Sequence, residues 1–275
     1  MRSTRGGSSA AVPSGIEGCA VVTGAANGIG RAIALRLAAG GRRLALIDQD
    51  RDGLDRVLES LNGRGDPADQ ASTAHVADVT DSRQVSDAIE DIERVNGPIE
   101  ALAHAVGVLQ TGAILDADPA VSRHTFDVNV MGVLNVARCA GLKMRTRRSG
   151  AMVIVGSNAA GVPRANMGIY GASKAAAEML TRVIGLELAG CQVRANMVAP
   201  GSTDTGMLAA MYPDRDAMIR ASIDGDPAAF RPGIPLGRIA DPDDIAGVVE
   251  FLLSSDARHI TMQTVYVDGG AALHA

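Results

Sequence analysis

The chain contains few aromatic residues and few cysteines. Of its 275 residues only 2% are aromatic, tryptophan is absent, and three are cysteines. A core must therefore be built from Ala, Val, Leu, Ile and Met, which suits parallel strands that are buried on both faces. Cys19, Cys139 and Cys191 are odd in number and far apart, so we expect small core residues of a reducing compartment and no disulfide framework.

The sequence also lacks the marks of membrane, secreted and nucleic-acid-binding proteins. It has no apolar run of about 18 residues, so no membrane span is expected. Residues 1–15 are rich in Ser, Gly, Arg and Ala without the apolar stretch of a secretory signal, and we predict a disordered leader there. The net charge is −5, with acidic and basic residues mixed along the chain and no basic stripe for nucleic acid. The histidines and cysteines show no metal-ligand spacing. These absences predict a cytoplasmic protein without a metal, a membrane or a nucleic acid as partner.

A glycine-rich loop follows the first apolar stretch. Residues 19–23 are typical of a buried strand, and Gly24-Ala-Ala-Asn27-Gly28-Ile-Gly30 connects them to an amphipathic helix. Glycines let the backbone approach a pyrophosphate, and a helix N-terminus supplies N–H groups and a positive dipole end. Asp48 follows about 20 residues later, where a carboxylate can bind the ribose hydroxyls of an adenosine. Its charge would repel a 2′-phosphate, and Asn27 is not basic, so the pattern predicts NAD rather than NADP.

Tyr170 and Lys174 lie one helical turn apart, and Ser157 precedes them. Residues at i and i+4 share a helix face, so we expect the Lys174 ammonium beside the Tyr170 phenol. A free tyrosine has a pKa of about 10, and a cation within about 4–6 Å lowers that pKa by stabilising the phenolate. With Ser157 holding a substrate oxygen, the three residues predict a general acid/base unit for an alcohol. For the Tyr and Lys alone, an ordinary helix surface is the alternative.

Strand and helix patterns alternate along the chain. This alternation predicts a Rossmann-type, doubly wound α/β domain with a parallel seven-stranded sheet, helices on both faces, and a site at the carboxyl ends of the strands. No linker is recognisable, so residues 16–275 are predicted to form a single domain. The predicted strands lie near 19–23, 43–47, 72–76, 101–104, 151–156, 193–198 and 264–267, and the predicted helices near 28–39, 51–61, 81–95, 119–146, 169–189, 206–221 and 242–254.

Several motifs together resemble the short-chain dehydrogenases/reductases over nearly the whole chain. The motifs are Thr23-Gly-Ala-Ala-Asn-Gly-Ile-Gly30, Asp78-Val79, Asn129 in Phe-Asp-Val-Asn-Val, Ser157, Tyr170-x3-Lys174 and Pro200-Gly201. The resemblance implies NAD-dependent hydride transfer by a catalytic tetrad of Asn129, Ser157, Tyr170 and Lys174. The NAD-binding residues that it implies are Gly24, Asn27, Gly28, Ile29, Gly30, Asp48, Gln49, Asp78, Val79, Gly107, Tyr170, Lys174, Pro200, Gly201, Thr203 and Thr205.

One position departs from the family pattern. The departure falls in the fourth strand, where the family usually has Asn-Asn-Ala-Gly and this chain has His104-Ala-Val-Gly107. Gly107 still permits close approach of the backbone to the cofactor. We interpret His104 as a buried, hydrogen-bonded residue, with a functional titrating histidine as the alternative.

Some segments resemble one subgroup, the 2,3-dihydro-2,3-dihydroxybenzoate dehydrogenases of siderophore synthesis. The more telling are Pro200-Gly-Ser-Thr-Asp-Thr205 and Pro163-Arg164 ahead of Met167. The resemblance implies that NAD takes hydride from a ring carbon of a cyclohexadiene carboxylate while Tyr170 takes the hydroxyl proton. The ketone then tautomerises to the aromatic 2,3-dihydroxybenzoate.

Four residues are predicted to face the substrate. Arg164 is the candidate cation for its carboxylate, with a surface arginine as the alternative. Met167 and Met207 are candidates for contact with its ring, with ordinary packing as the alternative. The subgroup has an Arg after the fourth strand where this chain has Gln110, so 2,3-dihydro-3-hydroxyanthranilate or another cyclic alcohol or ketone stays open as substrate. Residues 202–235, rich in Asp, Pro and Met, are predicted to form a mobile lid.

The remaining hypotheses concern assembly and class. The family commonly forms homotetramers through the helices predicted near 119–146 and 169–189, and we expect one here, although a dimer stays open. An NAD(H)-binding sensor or scaffold is the non-enzyme alternative, and the intact tetrad argues against it. An NADPH-dependent carbonyl reductase is a third hypothesis, and Asp48 argues against that.

Overall fold

The computed structural model describes residues 18–62 and 72–273. The predicted leader, residues 1–15, lies outside the described residues. The strands are β1 Cys19–Thr23, β2 Arg43–Asp48, β3 Thr73–Val76, β4 Ile99–His104, β5 Gly150–Val155, β6 Val193–Pro200, β7 Gly225–Asp226, β8 Arg231–Pro232 and β9 Thr264–Val267. The helices are α1 Gly28–Ala39, α2 Arg51–Asn62, α3 Ser82–Val95, α4 Pro119–Phe126, α5 Gly132–Arg147, α6 Gly168–Ala189, α7 Gly206–Ala209, α8 Arg215–Asp224 and α9 Pro242–Leu253.

Seven strands form one parallel sheet in the order β3-β2-β1-β4-β5-β6-β9. Strands β2 and β3 are added in turn on one side of β1, and β4 then pairs with the other side of β1. All pairings in this sheet are parallel. A ligand crevice is expected at such a reversal point, outside the carboxyl ends of the strands. The predicted seven-stranded, doubly wound Rossmann-type sheet is confirmed.

Successive side chains along each strand point to opposite faces of the sheet, and an apolar layer packs on each face. On one face of the sheet, Ala20 and Val22 of β1 contribute to a layer with α1 and α9. On the other face, Cys19 and Val21 contribute to a layer with α3 and α5. Cys19 is buried, and burial raises the pKa of its thiol to about 12. This residue is therefore a small, protonated core side chain, as the sequence indicated.

One helix prediction was wrong in continuity. The helix predicted near 119–146 does form without a break, with one π-helical turn at Asp127–Met131 joining α4 to α5. The helix predicted near 206–221 is divided into α7 and α8. Pro213 lies between them, and a proline fixes its own φ and has no N–H to continue the ladder. Asp214 then begins α8 by accepting a hydrogen bond from the Ala217 N–H at 2.7 Å.

Residues 202–235 contain α7, α8 and the two-stranded hairpin β7–β8. The segment has regular structure of its own, and its motion as a lid stays a prediction. None of the helices in the described part of the chain combines the length and the hydropathy that crossing a bilayer requires.

Candidate active site

The glycine loop between β1 and α1 is packed too closely to admit side chains. Gly24 has φ +70°, and a Cβ there would lie 2.9 Å from the carbonyl carbon of Ala105. A Cβ at Gly30 would lie 2.0 Å from the carbonyl oxygen of Gly24. Helix α1 begins at Gly28, and the Asn27 side chain makes no capping hydrogen bond. The first-turn N–H groups therefore remain available to an anion such as a pyrophosphate.

A cavity extends from this loop across the carboxyl ends of β1, β2 and β4. The predicted cofactor residues that line it are Gly24, Asn27, Gly28, Ile29, Asp48, Gln49, Asp78, Val79, Gly107 and Thr205. No Lys or Arg stands among the described residues that line this cavity. The open groove, the uncapped helix and the acidic end of β2 together fit an adenine dinucleotide.

Asp48 connects the end of β2 to the glycine loop. Its Oδ2 accepts a hydrogen bond from the Ala26 N–H at 3.1 Å, and its Oδ1 accepts one from the Asp50 N–H at 3.1 Å. Each carboxylate oxygen keeps further lone-pair capacity. The carboxylate is therefore oriented by the loop and can still accept hydrogen bonds from hydroxyl groups.

A second cavity adjoins the first and contains the predicted acid/base unit. It is lined by Ser157, Tyr170 and Lys174, and it shares Gly107 and Thr205 with the first cavity. Ser157 follows β5, while the other two residues lie in the first turns of α6. The Lys174 Nζ is 5.9 Å from the centre of the Tyr170 ring. Ser157, Tyr170 and Lys174 are all at least 90% buried, so the site is largely shielded from water.

Burial controls the protonation of Tyr170 and Lys174. It raises the pKa of the Tyr170 phenol, and a hydrogen bond with Ser157 and the charge of Arg164 oppose that rise. Burial lowers the pKa of Lys174 to about 8. We expected Lys174 to lower the pKa of Tyr170, but the cation that acts on the phenol in this structure is Arg164. The reason is distance and geometry, because Lys174 donates to the Val155 carbonyl at 3.3 Å instead.

Asn129 lies in the π-helical turn and joins three segments. Its Oδ1 accepts from the Val108 N–H at 2.8 Å, and its Nδ2 donates to the Val108 carbonyl at 2.9 Å and to Ser173 Oγ at 3.0 Å. The turn thus ties the loop after β4 to α6, and π-turns often occur at functional sites. A Cβ at Gly107 would lie 2.9 Å from Lys174 Nζ and 3.2 Å from Asn129 Oδ1. A side chain at position 107 would therefore displace the Lys174 ammonium and crowd the Asn129 amide.

The end of β6 and the segment after it contribute to the lining of the second cavity. Pro200, Gly201, Thr203 and Thr205 all line it. Thr205 Oγ1 also accepts from the Leu208 N–H at 3.4 Å and so begins α7. A Cβ at Gly28 would lie 3.5 Å from Thr205 Cγ2, so this segment lies beside the predicted phosphate loop.

Three of the four predicted substrate residues line the second cavity, namely Arg164, Met167 and Met207. Gln110 lines neither cavity, because its side-chain carbonyl accepts a hydrogen bond from Thr125 Oγ1 at 3.2 Å. Sequence reasoning missed Arg231, which also lines the second cavity. A single arginine outside any motif does not indicate a substrate contact. The one clue in the sequence was that Arg231 lies within residues 202–235, the predicted lid.

His104 is fully buried and lines neither cavity. Its Nδ1 is 2.8 Å from Thr23 Oγ1, while its Nε2 has no hydrogen-bond partner among the described residues. Burial, reinforced by the charge of Lys174, lowers the pKa of His104 to about 3. The interpretation as a buried, hydrogen-bonded histidine is confirmed. Within residues 18–62 and 72–273, no group of three or more His, Cys, Asp or Glu side chains is placed to hold a metal ion.

Comparison with known proteins gives the same fold and closely similar sequences. A family model for enoyl-(acyl carrier protein) reductases matches residues 24–272. A 2,3-dihydro-2,3-dihydroxybenzoate dehydrogenase of Bacillus subtilis (strain 168) is 45% identical over 260 residues, which cover 94% of this chain and 98% of that protein. The protein of the same name from Escherichia coli (strain K12) is 39% identical over 254 residues, covering 92% of this chain and 96% of that protein. A solved short-chain type dehydrogenase/reductase from Mycobacterium ulcerans has a TM-score of 0.84 at 27% identity, covering 94% of this chain and 90% of that chain.

These matches extend over both cavities and over every predicted motif. The family model begins at the first glycine of the phosphate loop and ends beyond β9. Proteins of this kind are oxidoreductases that use a nicotinamide cofactor, which the two adjoining cavities are built to accommodate. The chain belongs to the short-chain dehydrogenase/reductase family.

Proposed function

We propose that the protein oxidises a ring hydroxyl of 2,3-dihydro-2,3-dihydroxybenzoate with NAD, giving 2,3-dihydroxybenzoate. The observation that carries this proposal is the second cavity, which Ser157, Tyr170 and Arg164 line together, with Arg164 near enough for its charge to act on Tyr170. An alcohol and a carboxylate on one small ring would meet both kinds of group. The relatives that bear this name align over almost their entire length, which supports the same chemistry.

The chain's own residues would bind and deprotonate the alcohol. Ser157 hydrogen-bonds the substrate oxygen and orients it toward Tyr170. Tyr170, as phenolate, accepts the hydroxyl proton while the C–H bond of the same carbon breaks. When bound, NAD+ supplies the acceptor for the hydride. The ketone so formed tautomerises, because a proton leaves the neighbouring ring carbon and one adds to the carbonyl oxygen. This step gives the aromatic 2,3-dihydroxybenzoate and makes the net oxidation favourable.

Lys174 and Asn129 would bind the cofactor and position the site without accepting the substrate proton. The Lys174 ammonium lies in a buried space near Tyr170 and Gly107, where its N–H groups can bind a ribose. Asn129 holds the backbone around Val108 and the first turn of α6 through Ser173. It therefore positions the wall of the site that carries Tyr170.

The choice of NAD over NADP is supported by charge. Asp48 presents a carboxylate to the first cavity, and the described lining of that cavity holds no Lys or Arg to pair with a 2′-phosphate. A phosphate there would meet only a like charge, and like charges repel.

A homotetramer is supported by the surface of α6. Met179, Val183 and Leu186 are 56%, 41% and 65% exposed, and they repeat at helical spacing on one side of the helix. A continuous apolar stripe of this kind suits burial against another subunit. We propose that residues 16–275 act as one domain in such an assembly, and that residues 202–235 move as its substrate lid.

Stoichiometry tests the proposed reaction. The protein is incubated with NAD+ and the diol acid, and NADH absorbance is compared with 2,3-dihydroxybenzoate separated by chromatography. Equal amounts of NADH and 2,3-dihydroxybenzoate are expected. NADH formed without the aromatic product would overturn the substrate assignment and leave a dehydrogenase of another alcohol.

A further inference from the structure

A second arginine, Arg231, enters the substrate cavity from a different part of the chain. Arg164 lies in the loop between β5 and α6, whereas Arg231 begins β8 in the hairpin that follows α8. Both line the cavity that also contains Tyr170 and Ser157. The cavity therefore has two cations near an acid/base unit that acts on a neutral alcohol.

The two guanidinium groups are close enough to repel each other. The pKa of Arg164 is lowered by burial and then by the charge of Arg231, with Asp268 opposing both. The Asp268 carboxylate already accepts hydrogen bonds from Asn158 Nδ2 and from the N–H groups of Gly270 and Ala272. The Nε of Arg164 is buried and has no partner among the described residues. A buried, unpaired donor on a cation is costly unless a ligand accepts from it.

Arg231 is held in place by neighbours that leave part of its guanidinium open. Its Nη1 and Nη2 each donate to Tyr212 Oη at 3.2 Å, and Nη2 also donates to the Ala221 carbonyl. These bonds use some of the five N–H donors of an arginine. The chain after the hairpin is tied to α8, because the Ile234 N–H donates to the Ile223 carbonyl at 2.9 Å.

Three methionines also line this cavity. Met167, Met207 and Met211 line the cavity with the two arginines. Methionine adapts its shape to flat rings and excludes water, which strengthens any charge pairing nearby. An anion on a planar ring would satisfy both the cations and the thioethers.

We propose that Arg231 and Arg164 together bind the substrate carboxylate, and that Arg231 makes the enzyme selective for carboxylated cyclic alcohols. This inference rests on the proposed function, because it assigns the acid group of that substrate. Arginine binds carboxylates through paired N–H donors with defined geometry. Since the two arginines come from separate segments, the carboxylate also connects the hairpin to the loop before α6.

Binding of the product and of its decarboxylated analogue tests the proposal. The affinities of 2,3-dihydroxybenzoate and catechol are measured by calorimetry on the NADH complex of the full chain. We expect the wild type to prefer the acid, and Arg231→Gln to weaken the acid about 10- to 100-fold while catechol loses far less. Arg231→Lys keeps the charge without the paired donors, and an intermediate loss is expected.

The control is Arg238→Gln, which removes an exposed arginine that pairs with Asp244 outside the cavity. This variant should bind both ligands like the wild type. If Arg231 only held the hairpin in place, Arg231→Gln would weaken acid and catechol equally, and the proposal would be overturned. It would also be overturned if the variant kept the wild-type preference for the acid.

The outcome separates this inference from the proposed function. If the wild type oxidises the diol acid and prefers its product, and Arg231→Gln keeps that preference, the role of Arg231 is refuted and the proposed function stands. If the wild type neither oxidises the diol acid nor distinguishes the two ligands, both the proposed function and the carboxylate site are refuted.

Discussion

Lys174 Nζ lies 5.9 Å from the centre of the Tyr170 ring, and both side chains are almost fully buried. Burial acts on the two groups in opposite directions, because it raises the pKa of the phenol and lowers that of the ammonium to about 8. Both groups are thus held toward their neutral forms. The Ser157 hydrogen bond and the Arg164 charge oppose this for Tyr170, and they are what favour the reactive phenolate in the protein itself.

Removal of the Tyr170 hydroxyl should abolish most turnover. In Tyr170→Phe the ring still packs against the cavity, but no group accepts the substrate proton. We expect kcat to fall at least about 100-fold, while NAD affinity measured by fluorescence changes little. Tyr266→Phe, which removes a hydroxyl from β9, is the matched control and should retain activity. Retained turnover in Tyr170→Phe would refute its role as base.

The charge of Arg164 should set the pH dependence of oxidation. Oxidation requires the phenolate, so kcat/KM should rise with pH as Tyr170 loses its proton. Because Arg164 lowers the pKa of Tyr170, Arg164→Gln should move this rise to higher pH. A neutral cyclic alcohol is the substrate to use, since it removes any effect on carboxylate binding. An unchanged profile, or a shift to lower pH, would contradict the coupling.

Burial of Lys174 should cost stability at neutral pH. The unfolded lysine keeps its proton up to about pH 10.4, whereas the folded one releases it near a pKa of about 8. The unfolded state therefore binds more protons between these values, and the free energy of unfolding rises with pH across that window. Lys174→Met should stabilise the cofactor-free protein at pH 7 by up to about 3 kcal/mol and abolish activity.

Denaturant unfolding at two pH values measures this effect. The difference between Lys174→Met and wild type should be large near neutral pH and should shrink near about pH 10, where the unfolded lysine also becomes neutral. A variant that is less stable than the wild type at both pH values would show that the ammonium makes favourable contacts that outweigh its burial.

His104 should make the protein sensitive to acid. The folded state holds the pKa of His104 at about 3, whereas the unfolded residue binds a proton below about pH 6.5. Stability is therefore lost as pH falls through this window. His104→Asn keeps a partner for Thr23 and should lose less stability between neutral pH and about pH 4. His259→Asn, at an exposed position, is the control, and equal acid sensitivity in His104→Asn and wild type would contradict the account.

Asp48 should exclude NADP. Asp48→Asn removes the charge but keeps an acceptor for the Ala26 N–H, so the glycine loop should stay in place. We expect NAD to bind about tenfold more weakly and NADP more tightly than in the wild type. Titration of both cofactors by fluorescence measures this, with Asp48→Ala showing the added cost of losing the loop contact. An unchanged ratio of the two affinities would place the ribose elsewhere.

The sequence was most informative where the chemistry is local. The glycine loop requires positions without a Cβ within a few residues of one another, and Tyr170 and Lys174 are placed by the period of a single helix. The π-turn at Asn129 was not predictable, because it depends on hydrogen bonds to Val108 and Ser173 from distant segments. Arg231 escaped for the same reason, since only the folded chain brings it beside Arg164. Gln110 was considered because the subgroup has an Arg at its position, but its side-chain carbonyl accepts a hydrogen bond from Thr125.

The measurement that tests the central claim most directly is NADH formation with three substrates under identical conditions. These are 2,3-dihydro-2,3-dihydroxybenzoate, its amino analogue 2,3-dihydro-3-hydroxyanthranilate, and a cyclic alcohol without a carboxylate. We predict the highest kcat/KM for the first, with 2,3-dihydroxybenzoate as product. Turnover of the amino compound alone would contradict the proposed substrate. Equal turnover of the alcohol that has no carboxylate would contradict the two-arginine site.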